Sequence, residues 1–524
     1  MCISKISFDV THKTLPYLVN SPPSGLFFVY KYCLYGKICL PLQKTTGMEN
    51  KLIARHEECS ILKRCMESFE SEFVIVCGRR RIGKTYLVEQ YFGGKYDFKF
   101  VGGHNLRTRD QLKSFAKALR SYSGIKYEPF IDWVEAFDAL EDYLSTLPND
   151  RRKVVFIDEM PWIDTKRSDF VSALENFWNG WASGQYNIVL VATGSATSWM
   201  TDKLLMNRGG LHNRIRHRIY LKPFTLKETE EYLKSQGAYW DRYQILQAYM
   251  FTGGVPLYLK LLSPKLSVAQ NLDALCFSET GALRMEFDEL YGAIFPGAES
   301  YVEVVKALAA NRSGLSRKEI LAKTKVTGAF LTRVLSNLER CNFIDQTSLF
   351  GNRRTESVYR LIDFYTLFYF KFIADNKSKD EQWWTHHLDS SSIYSWMGTT
   401  FETICMLHHN QIKKALGISG MATSISTWRC LPDEKNELPG AQIDMIIERA
   451  DRMIHLCEMK FSQNAYNITA EYEKKLRDRM WLFNLKTKNR KPLVHTFVTT
   501  FGLGEGKHHS IVHSEVTMDD LFNS

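Results

Sequence analysis

The sequence predicts an α/β protein whose first module contains a parallel β-sheet with ligand sites along one edge. Residues 73–77 form a continuous apolar run of strand length, and residues 153–157 form a second run that is apolar after Lys153. Such runs are typical of parallel strands buried on both faces. A glycine-containing loop and a helix start follow the first run, and Asp158 and Glu159 follow the second. Because the carboxyl ends of parallel strands meet at one edge of a sheet, the loop and the two acids are predicted to face each other.

The loop after the first strand fits the phosphate-binding pattern G-x-x-x-x-G-K-[ST]. Its two glycines allow the backbone to wrap around a phosphate with N–H groups pointing inward. The lysine of the pattern reaches the β- and γ-phosphates, and the threonine hydroxyl binds Mg²⁺. The pattern therefore predicts a nucleotide-binding loop of eight consecutive residues: Gly78, Arg79, Arg80, Arg81, Ile82, Gly83, Lys84 and Thr85.

Polar residues at the ends of two further strands complete the predicted phosphate chemistry. Asp158 is predicted to hold Mg²⁺, and Glu159 to orient and deprotonate the attacking water. A third apolar run, residues 187–193, ends beside Ser195. We expect Ser195, or as a second choice Thr193, to contact the γ-phosphate or the water. A hydroxyl that only caps the next turn remains an equally good interpretation.

A basic stretch and a turn follow the third strand. Four arginines lie between residues 208 and 218, namely Arg208, Arg214, Arg216 and Arg218. An arginine can stabilise the charge that develops on a transferring phosphate, and Arg214 is the candidate for that role. Each arginine could equally belong to an ordinary charged surface. Residues 252–256 form a Gly-Gly-x-Pro turn that ends the module.

The order of these motifs resembles the archaeal and bacterial ATPase family of the STAND branch, which is related to the AAA+ proteins. The matching segments are residues 55–58, 78–85, 154–164, 192–195 and 253–256. The resemblance implies a P-loop NTPase sheet with a helical lid, ATP and Mg²⁺ as ligands, slow hydrolysis, and use of ATP as a conformational switch. It assigns Pro256 to a turn that senses the nucleotide. It also places Arg55 near the adenine, although His56 departs from the family pattern.

The middle of the chain predicts three short helices followed by a β-hairpin. Residues 301–311 and 327–340 have helical spacing, and a capping box of Ser316 and Glu319 begins a helix over 317–323. Two strand-like segments, 343–346 and 357–361, flank a polar turn. This arrangement resembles a winged helix-turn-helix domain.

Such a domain would place its third helix in the major groove of DNA. Thr332 and Arg333 would be presented there, while Arg353 and Arg354 in the hairpin would contact phosphates. The alternative, weighed evenly, is a winged helix that only transmits the nucleotide state or binds a protein partner.

The C-terminal part carries an acid on a helix that we expect to open at residues 398–402, an acid on a strand and an E-x-K sequence on the next strand. These residues are Glu402, Asp444, Glu458 and Lys460. The order resembles the PD-(D/E)xK nuclease superfamily, an α/β restriction-endonuclease-like fold. The resemblance implies that Glu402, Asp444 and Glu458 bind Mg²⁺, and that Glu458 and Lys460 act in catalysis. Because such domains are sometimes inactive, cleavage and an inert binding fold remain open alternatives.

Length and pattern divide the 524 residues into four parts. Residues 48–262 are predicted to form the ATPase domain, 263–375 the winged-helix domain and 376–524 the nuclease-like domain. Residues 1–47 have no helical or strand period, and we expect a translation artefact or a disordered extension there.

Composition restricts the class of protein. Hydrophobic residues make up 44% of the chain and no apolar run is long enough to span a membrane. The eleven cysteines contain no C-x-x-C pair, which favours a reducing cytoplasm over a disulfide or zinc framework. The net charge of +10 permits nucleic-acid contact. We therefore expect a cytoplasmic ATP-dependent switch with a nuclease-like effector that binds DNA, with a protein partner and a homo-oligomer as further possibilities. Its rival is a non-nucleolytic regulatory ATPase.

Overall fold

The fold was analysed in a computed structural model of the chain. It describes residues 52–195, 199–205, 210–211, 214–295, 297–351, 357–432 and 438–523. The predicted extension 1–47, together with Arg208, Arg353 and Arg354, lies outside these described residues.

The first module is built on a five-stranded parallel sheet, as predicted. Its strands are β1 (Glu72–Cys77), β2 (Phe98–Val101), β3 (Lys153–Asp158), β4 (Ile188–Gly194) and β5 (His217–Tyr220). Their order across the sheet is β2-β3-β4-β1-β5. Strands β1, β3 and β4 are buried along their whole length, which explains their largely apolar sequences. Strand β4 therefore separates the strand that carries the loop from the strand that carries the two acids.

Helices cover both faces of this sheet and continue into the segment after it. They are α1 (His56–Glu67), α2 (Lys84–Phe92), α3 (Thr108–Ser123), α4 (Trp133–Thr146), α5 (Met160–Ile163), α6 (Phe170–Gly180), α7 (Leu226–Ser235), α8 (Arg242–Thr252) and α9 (Pro256–Leu261). A 3-10 turn (Ala182–Gln185) and a π-helical turn (Met200–Leu205) complete the module. Helix α2 begins at Lys84, so the loop ends where a helix N-terminus adds its partial positive charge.

The middle segment is helical with a small antiparallel sheet. Its helices are α10 (Val268–Leu272), α11 (Glu286–Ile294), α12 (Ala298–Ala309), α13 (Arg317–Lys323), α14 (Gly328–Arg340) and α15 (Phe364–Phe368), with π-helical turns at Asp273–Phe277 and Tyr369–Ile373. Strands β6 (Leu315–Ser316), β7 (Ile344–Ser348) and β8 (Ser357–Leu361) pair in the order β6-β8-β7. The capping box of Ser316 and Glu319 is present where the sequence predicted it.

A second five-stranded sheet forms the C-terminal part. Its strands are β9 (Thr423–Cys430), β10 (Ala441–Arg449), β11 (Ile454–Lys460), β12 (Leu493–Thr499) and β13 (Val512–Thr517), in the order β13-β12-β11-β10-β9. Helices α16 (Trp383–His386), α17 (Ser391–Leu407), α18 (His409–Ala415), α19 (Ala470–Thr487) and α20 (Met518–Leu521) surround it, with a 3-10 turn at His509–Ile511. Strands β10 and β11 form the predicted antiparallel hairpin, whereas β11, β12 and β13 run parallel.

One helix boundary differs from the sequence-based expectation. The segment around Glu402 was expected to open a helix near residue 398, but α17 begins at Ser391, where the Ser390 side chain accepts a hydrogen bond from the backbone N–H of Ile393 (3.3 Å). A serine cap satisfies an otherwise unpaired helical N–H and sets the start of a helix. Glu402 therefore lies well inside α17 and not in its first turn.

The buried cores do not follow the predicted module boundaries. Two clusters lie on the two faces of the first sheet. A third, larger cluster runs continuously from helices α7–α9 through the middle segment to α17 and β11. Tyr249 of α8, for example, packs edge-on against Phe364 of α15 with ring centroids 5.6 Å apart. None of the described helices is long and apolar enough to cross a membrane.

Candidate nucleotide site and acidic site

The loop after β1 has a backbone that only glycine adopts freely at its first position. Gly78 has φ +147°, and a Cβ built on it would lie 2.5 Å from the carbonyl oxygen of Leu221. Gly83 also has positive φ (+84°) and immediately precedes α2. Arg81 adopts φ +78° without being glycine. Non-glycine residues in this region are strained and cluster at binding loops, which agrees with a loop shaped to cradle a phosphate.

The residues predicted to handle Mg²⁺ are in contact. The Thr85 hydroxyl donates to both carboxylate oxygens of Asp158 (3.1 and 3.0 Å), and the Thr193 hydroxyl donates to the same carboxylate. Burial raises the pKa of Asp158, while the hydrogen bonds from Thr193 and Thr85 oppose that shift. A hydroxyl and a carboxylate oxygen are the donors that Mg²⁺ prefers. The pair Thr85 and Asp158 therefore fits the ion that the ATPase resemblance implies.

Lys84 is the first residue of α2, and its side chain turns back towards the loop. Its ammonium donates to the carbonyl oxygen of Arg79 (3.2 Å) and is nearly inaccessible to solvent. Burial lowers the pKa of Lys84, and the nearby carboxylates of Glu159 and Asp158 partly offset this. A buried ammonium held by a backbone carbonyl is ready to exchange that partner for a phosphate oxygen.

Glu159 and Ser195 meet across the ends of the adjacent strands β3 and β4. Ser195 donates to Glu159 Oε2 from its hydroxyl (2.8 Å) and from its backbone N–H (3.1 Å). Thr193 is the one of the two hydroxyl candidates that contacts Asp158. Glu159 itself has φ +49°, a strained conformation for a non-glycine residue. The two hydroxyls are thus divided between the two acids, and Ser195 fixes the carboxylate that would activate water.

Two of the three loop arginines turn their side chains toward the middle segment. The Arg79 guanidinium pairs with Asp363, both side chains being almost fully buried, and lies over the Phe343 ring at 4.4 Å. Arg81 binds Glu286 through two hydrogen bonds (3.0 and 2.8 Å). In this state the side chains of Arg79 and Arg81 bind carboxylates of the middle segment, which the sequence did not predict. Their backbone N–H groups remain the candidates for phosphate contact.

Segments before and after the sheet pack directly on the loop. The buried Arg55 guanidinium donates to the carbonyl oxygens of Lys222 (2.8 Å) and Ile82 (3.5 Å). Pro256 is the first residue of α9, and the next residue, Leu257, donates its N–H to the carbonyl oxygen of Arg81 (3.3 Å). The Arg55 segment, which the resemblance placed near the adenine, and the Pro256 turn, which it linked to nucleotide sensing, thus both contact the loop backbone.

The remaining basic candidates lie farther from these contacts. Arg80 is half-buried, with its guanidinium 6.0 Å from the centre of the Trp162 ring. Arg214 is exposed, three residues before β5. Arg216 pairs with Glu70 on the surface. A catalytic role for Arg214 stays a prediction.

The four C-terminal candidates line one cavity. Glu402, Asp444, Glu458 and Lys460 surround a volume of 520 Å³ together with side chains of α19, among them Arg479 and Lys475. Lys460 Nζ lies 4.0 Å from Glu458 Oε2, as expected for alternate residues on one face of β11. Asp444 lies in an irregularity of the β9–β10 pairing, between Ile443 and Ile446. Bulges redirect side chains next to active sites, and this one lies at the acid of β10.

Each strand acid already has polar partners. The Glu458 carboxylate accepts hydrogen bonds from Arg479 and from the Tyr472 hydroxyl (2.7 Å). Asp444 accepts a hydrogen bond from Gln442 and lies 4.0 Å from Arg360 Nη2. In the part of the chain that the structure describes, no group of three or more His, Cys, Asp or Glu side chains is arranged as a metal cage.

Glu402 is the acid whose ionisation is most affected by its surroundings. Burial raises the pKa of Glu402 to about 7, with the Asp444 charge adding to the shift and Lys460 opposing it. A carboxyl that is costly to ionise in its surroundings gains most from a nearby cation. The three acids supply oxygen donors of the kind that a divalent cation prefers. In this state they are not arranged as its site, and binding would require some of their present partners to withdraw.

Residues 52–262 match the sequence model of a family described as an ATPase domain predominantly from Archaea. This part of the chain is an archaeal-type ATPase domain. The match covers nearly the range predicted from the motifs, 48–262. An ATPase domain implies ATP hydrolysis, and the loop of residues 78–85 lies inside the matched range.

The similarity to known proteins covers more residues than the ATPase domain contains. An uncharacterized protein of Methanocaldococcus jannaschii is 28% identical over 342 residues, covering 63% of this chain and 70% of its own. A Walker-type ATPase of Pyrococcus abyssi has a similar structure, with 18% identity, a TM-score of 0.44, and coverage of 61% of this chain and 96% of its own. The ORC2 protein of Aeropyrum pernix is 14% identical, with a TM-score of 0.38, and the match covers 62% of this chain and 94% of its own.

The sequence motifs did not predict several contacts at the two candidate sites. The partners of Arg79 and Arg81 lie more than 200 residues away in the sequence, at Asp363 and Glu286. Arg479 and Tyr472 were missed because they belong to a helix outside the nuclease-like motif. No local spacing pattern predicts such pairs. The sequence indicates only that the loop is rich in arginine and that acidic residues are scattered through the rest of the chain.

Proposed function

We propose that the chain is an ATP-dependent switch whose C-terminal part binds DNA and cleaves it with the help of Mg²⁺. The ATPase domain supplies the switch. The observation that carries this part is the contact of Thr85 with Asp158 beside a strained glycine loop. In this proposal the loop N–H groups and Lys84 hold the phosphates, and Thr85 and Asp158 hold the cation.

Hydrolysis in this proposal depends on Glu159. Its carboxylate accepts the proton of the attacking water, and the two hydrogen bonds from Ser195 keep it oriented. Lys84 neutralises negative charge on the phosphates. Mg²⁺, when bound, would shield the charge that develops on the phosphate oxygens. Movement of a γ-phosphate near Ser195 would alter the Ser195–Glu159 contact, which gives the switch a local trigger.

The nuclease part rests on a single observation: an acid from a helix and two acids and a lysine from a β-hairpin line the same cavity. Glu402, Asp444 and Glu458 supply oxygen donors of the kind that Mg²⁺ prefers. Lys460, next to Glu458, would position water or neutralise the phosphate that is attacked. The cation would generate the nucleophile and stabilise charge on the phosphate.

The middle segment is assigned to DNA or partner binding as a winged-helix domain, within the boundaries 263–375. Three helices precede a β-hairpin, and α14 exposes Thr332 and Arg333. Arg333 lies over the Phe330 ring at 4.6 Å, which holds its charge at the helix surface. A basic, exposed third helix suits the major groove.

A non-nucleolytic regulator is the second candidate, and one observation favours it. Glu458 is bound by Arg479 and Tyr472, so the central acid of the cavity is occupied by protein donors in this state. If these contacts persist when Mg²⁺ and DNA are present, the fold would bind a partner without cutting.

The deciding experiment incubates supercoiled plasmid with the full chain and Mg²⁺ or Mn²⁺, with and without ATP. We expect nicking or linearisation that Asp444→Ala abolishes. Asp451→Ala, which removes an exposed acid from the turn of the same hairpin, should leave cleavage unchanged. ATP hydrolysis is followed in parallel, with Lys84→Ala as the variant expected to lose it.

The outcomes separate the two candidates. Cleavage that survives Asp444→Ala would place the activity elsewhere or in a contaminant. Hydrolysis of ATP without any cleavage would support the regulator. Unchanged ATP turnover in Lys84→Ala would contradict the assignment of the nucleotide site.

A further inference from the structure

The nucleotide loop and the acidic cavity are joined by a short segment of the middle part, residues 360–363. At one end of this segment, Asp363 binds Arg79 of the loop, and their side chains are 2% and 1% exposed. Asp363 also caps α15, accepting hydrogen bonds from the backbone N–H (2.9 Å) and the hydroxyl (2.6 Å) of Thr366. Both oxygens of Asp363 are engaged, one with Arg79 and the other with Thr366, so this side chain links the loop directly to the start of α15.

At the other end, Arg360 reaches the acidic cavity. It lies in β8 and is buried; its guanidinium donates to the Thr427 hydroxyl (3.0 Å) and lies 4.0 Å from Asp444 Oδ1. Burial lowers the pKa of Arg360, while Asp444 and Glu402 oppose the shift, so both acids act on its charge. The middle segment thus contributes a cation to a site whose acids belong to the C-terminal part.

The charges around the cavity come from both parts of the chain. The acids Glu402, Asp444, Glu458 and Asp478 face Lys460, Lys475 and Arg479 of the C-terminal part and Arg360 of the middle segment. Because Arg360 lies beside Asp444, its withdrawal would remove a positive charge next to that acid and favour a divalent cation there.

The buried pair at the loop has room to rearrange. Arg79 and Asp363 border a cavity of 410 Å³ that is also lined by residues 222–225, by β7 and by the end of α17. Two of the Arg79 guanidinium nitrogens, Nε and Nη2, have no hydrogen-bond partner within the described chain. A bound polyphosphate brings several negative charges to the loop and so competes with Asp363 for the charge of Arg79.

We propose that Arg360 is a positioning residue that restrains the acidic cavity, and that nucleotide binding at residues 78–85 withdraws it from Asp444 through Asp363. This inference rests on the proposed function of both sites. The added element is a route of regulation: ATP bound at the loop raises the affinity of the three acids for a divalent cation. By reciprocity, a cation bound there raises the affinity for ATP.

The first test measures Mn²⁺ binding to the full nucleotide-free chain by electron paramagnetic resonance. We expect Arg360→Met to bind Mn²⁺ about fivefold or more tightly than the wild type, and the double variant with Asp444→Ala to lose the gain. Arg429→Met is the matched control. It removes another arginine between the same two parts, one that binds Glu319 (2.7 Å) and not Asp444.

The second test detects the link between the nucleotide loop and the acidic cavity without using metal binding as the signal. Amide hydrogen exchange in residues 441–460 is compared with and without ATP, after ATP binding has been measured directly. We expect ATP to speed exchange in the wild type and to have no effect there in Asp363→Asn. Arg360→Lys, which keeps the charge, should retain the response.

The results distinguish the inference from the function on which it rests. Equal Mn²⁺ affinity in the wild type and Arg360→Met, or an exchange response that survives Asp363→Asn, would overturn the inference. If ATP does not bind, the proposed nucleotide function fails. If ATP binds but no variant binds Mn²⁺, the metal assignment fails, and an exchange response lost in Asp363→Asn would still support the link.

Discussion

At the scale of single residues, strain is concentrated at the nucleotide edge of the first sheet. Gly78, Arg81, Gly83 and Glu159 all have positive φ, and two of them are not glycine. Such conformations cost roughly 1–3 kcal/mol each and persist only where the surrounding structure enforces them. Here the enforcing contacts are the buried carboxylates of the middle segment and the hydroxyls at the ends of β4.

The first prediction tests this edge. Gly78→Ala should weaken ATP binding by about tenfold or more, because its Cβ would lie 2.5 Å from the Leu221 carbonyl oxygen. Gly93→Ala is the control, since Gly93 also has positive φ (+60°) but has nothing within 4 Å of an added Cβ. Fluorescent-nucleotide titration measures both. Equal affinities for the two variants would show that close packing at Gly78 does not shape the site.

At the scale of elements, hydrogen bonds at helix ends join separate parts of the chain. Helix α7 begins at Leu226, whose N–H donates to Nε2 of His408 (3.2 Å) at the end of α17. The other ring nitrogen, Nδ1, lies 2.9 Å from the Ile404 carbonyl oxygen. His408 must therefore be neutral, with its proton on Nδ1, to make both hydrogen bonds.

The second prediction is a loss of stability in acid. Burial lowers the pKa of His408 from 6.5 to about 4, so the unfolded chain takes up a proton that the folded chain excludes. Stability is therefore lost as the pH falls from 6.5 to 4, by about 3 kcal/mol for this group. His408→Gln should show a smaller drop in melting temperature between pH 7 and pH 4.5 than the wild type. His409→Gln should keep the full drop, and an equal drop in all three proteins would contradict the assignment.

The third prediction concerns helix α14. If it contacts DNA phosphates or bases, Arg333→Ala should weaken DNA binding and reduce the slope of affinity against salt by about one. Lys306→Ala removes an exposed charge from α12 and serves as the control. Fluorescence anisotropy at several salt concentrations gives both slopes. An unchanged slope in Arg333→Ala would favour the interpretation in which this segment transmits the nucleotide state without binding DNA.

At the scale of the whole molecule, the largest of the buried clusters crosses the predicted boundaries, from α7 through the middle segment to the C-terminal sheet. Aromatic side chains of α8 pack on those of α15, including Tyr249 on Phe364 and Phe251 on Phe368 (5.9 Å). The ion pairs of Arg79 and Arg81 cross the same boundary. Such extensive burial resembles the interior of one domain more than a contact between independent ones.

The fourth prediction follows from this shared core. A fragment of residues 52–262 should bind a hydrophobic dye and unfold without a sharp transition, because Tyr249 and Phe251 lose their cover and Arg79 loses Asp363. The full chain should bind little dye and melt cooperatively. Calorimetry and dye fluorescence measure both. A fragment that melts sharply at the temperature of the full chain would show that the ATPase domain is stable by itself.

The sequence predicted those features that depend on residues close together in the chain. In the structure the loop of residues 78–85 follows β1, the two acids and the two hydroxyls lie at the ends of the neighbouring strands β3 and β4, and Asp444 and Glu458 lie on one hairpin. Strand ends and short turns fix such neighbours, which is why the sequence could predict these positions. The capping box at Ser316 was placed for the same reason. The start of α17 was missed, since a single serine cap is a weak signal in a polar stretch.

What the sequence by itself determined was the residue content of two candidate sites: a glycine loop with two acids at a neighbouring strand end, and three acids with a lysine. The tertiary structure decided how those sites are connected. Arg79 with Asp363 and Arg360 with Asp444 pair residues 284 and 84 positions apart. Local spacing carries no information about such pairs, because they form only when packing buries charges that must then find partners.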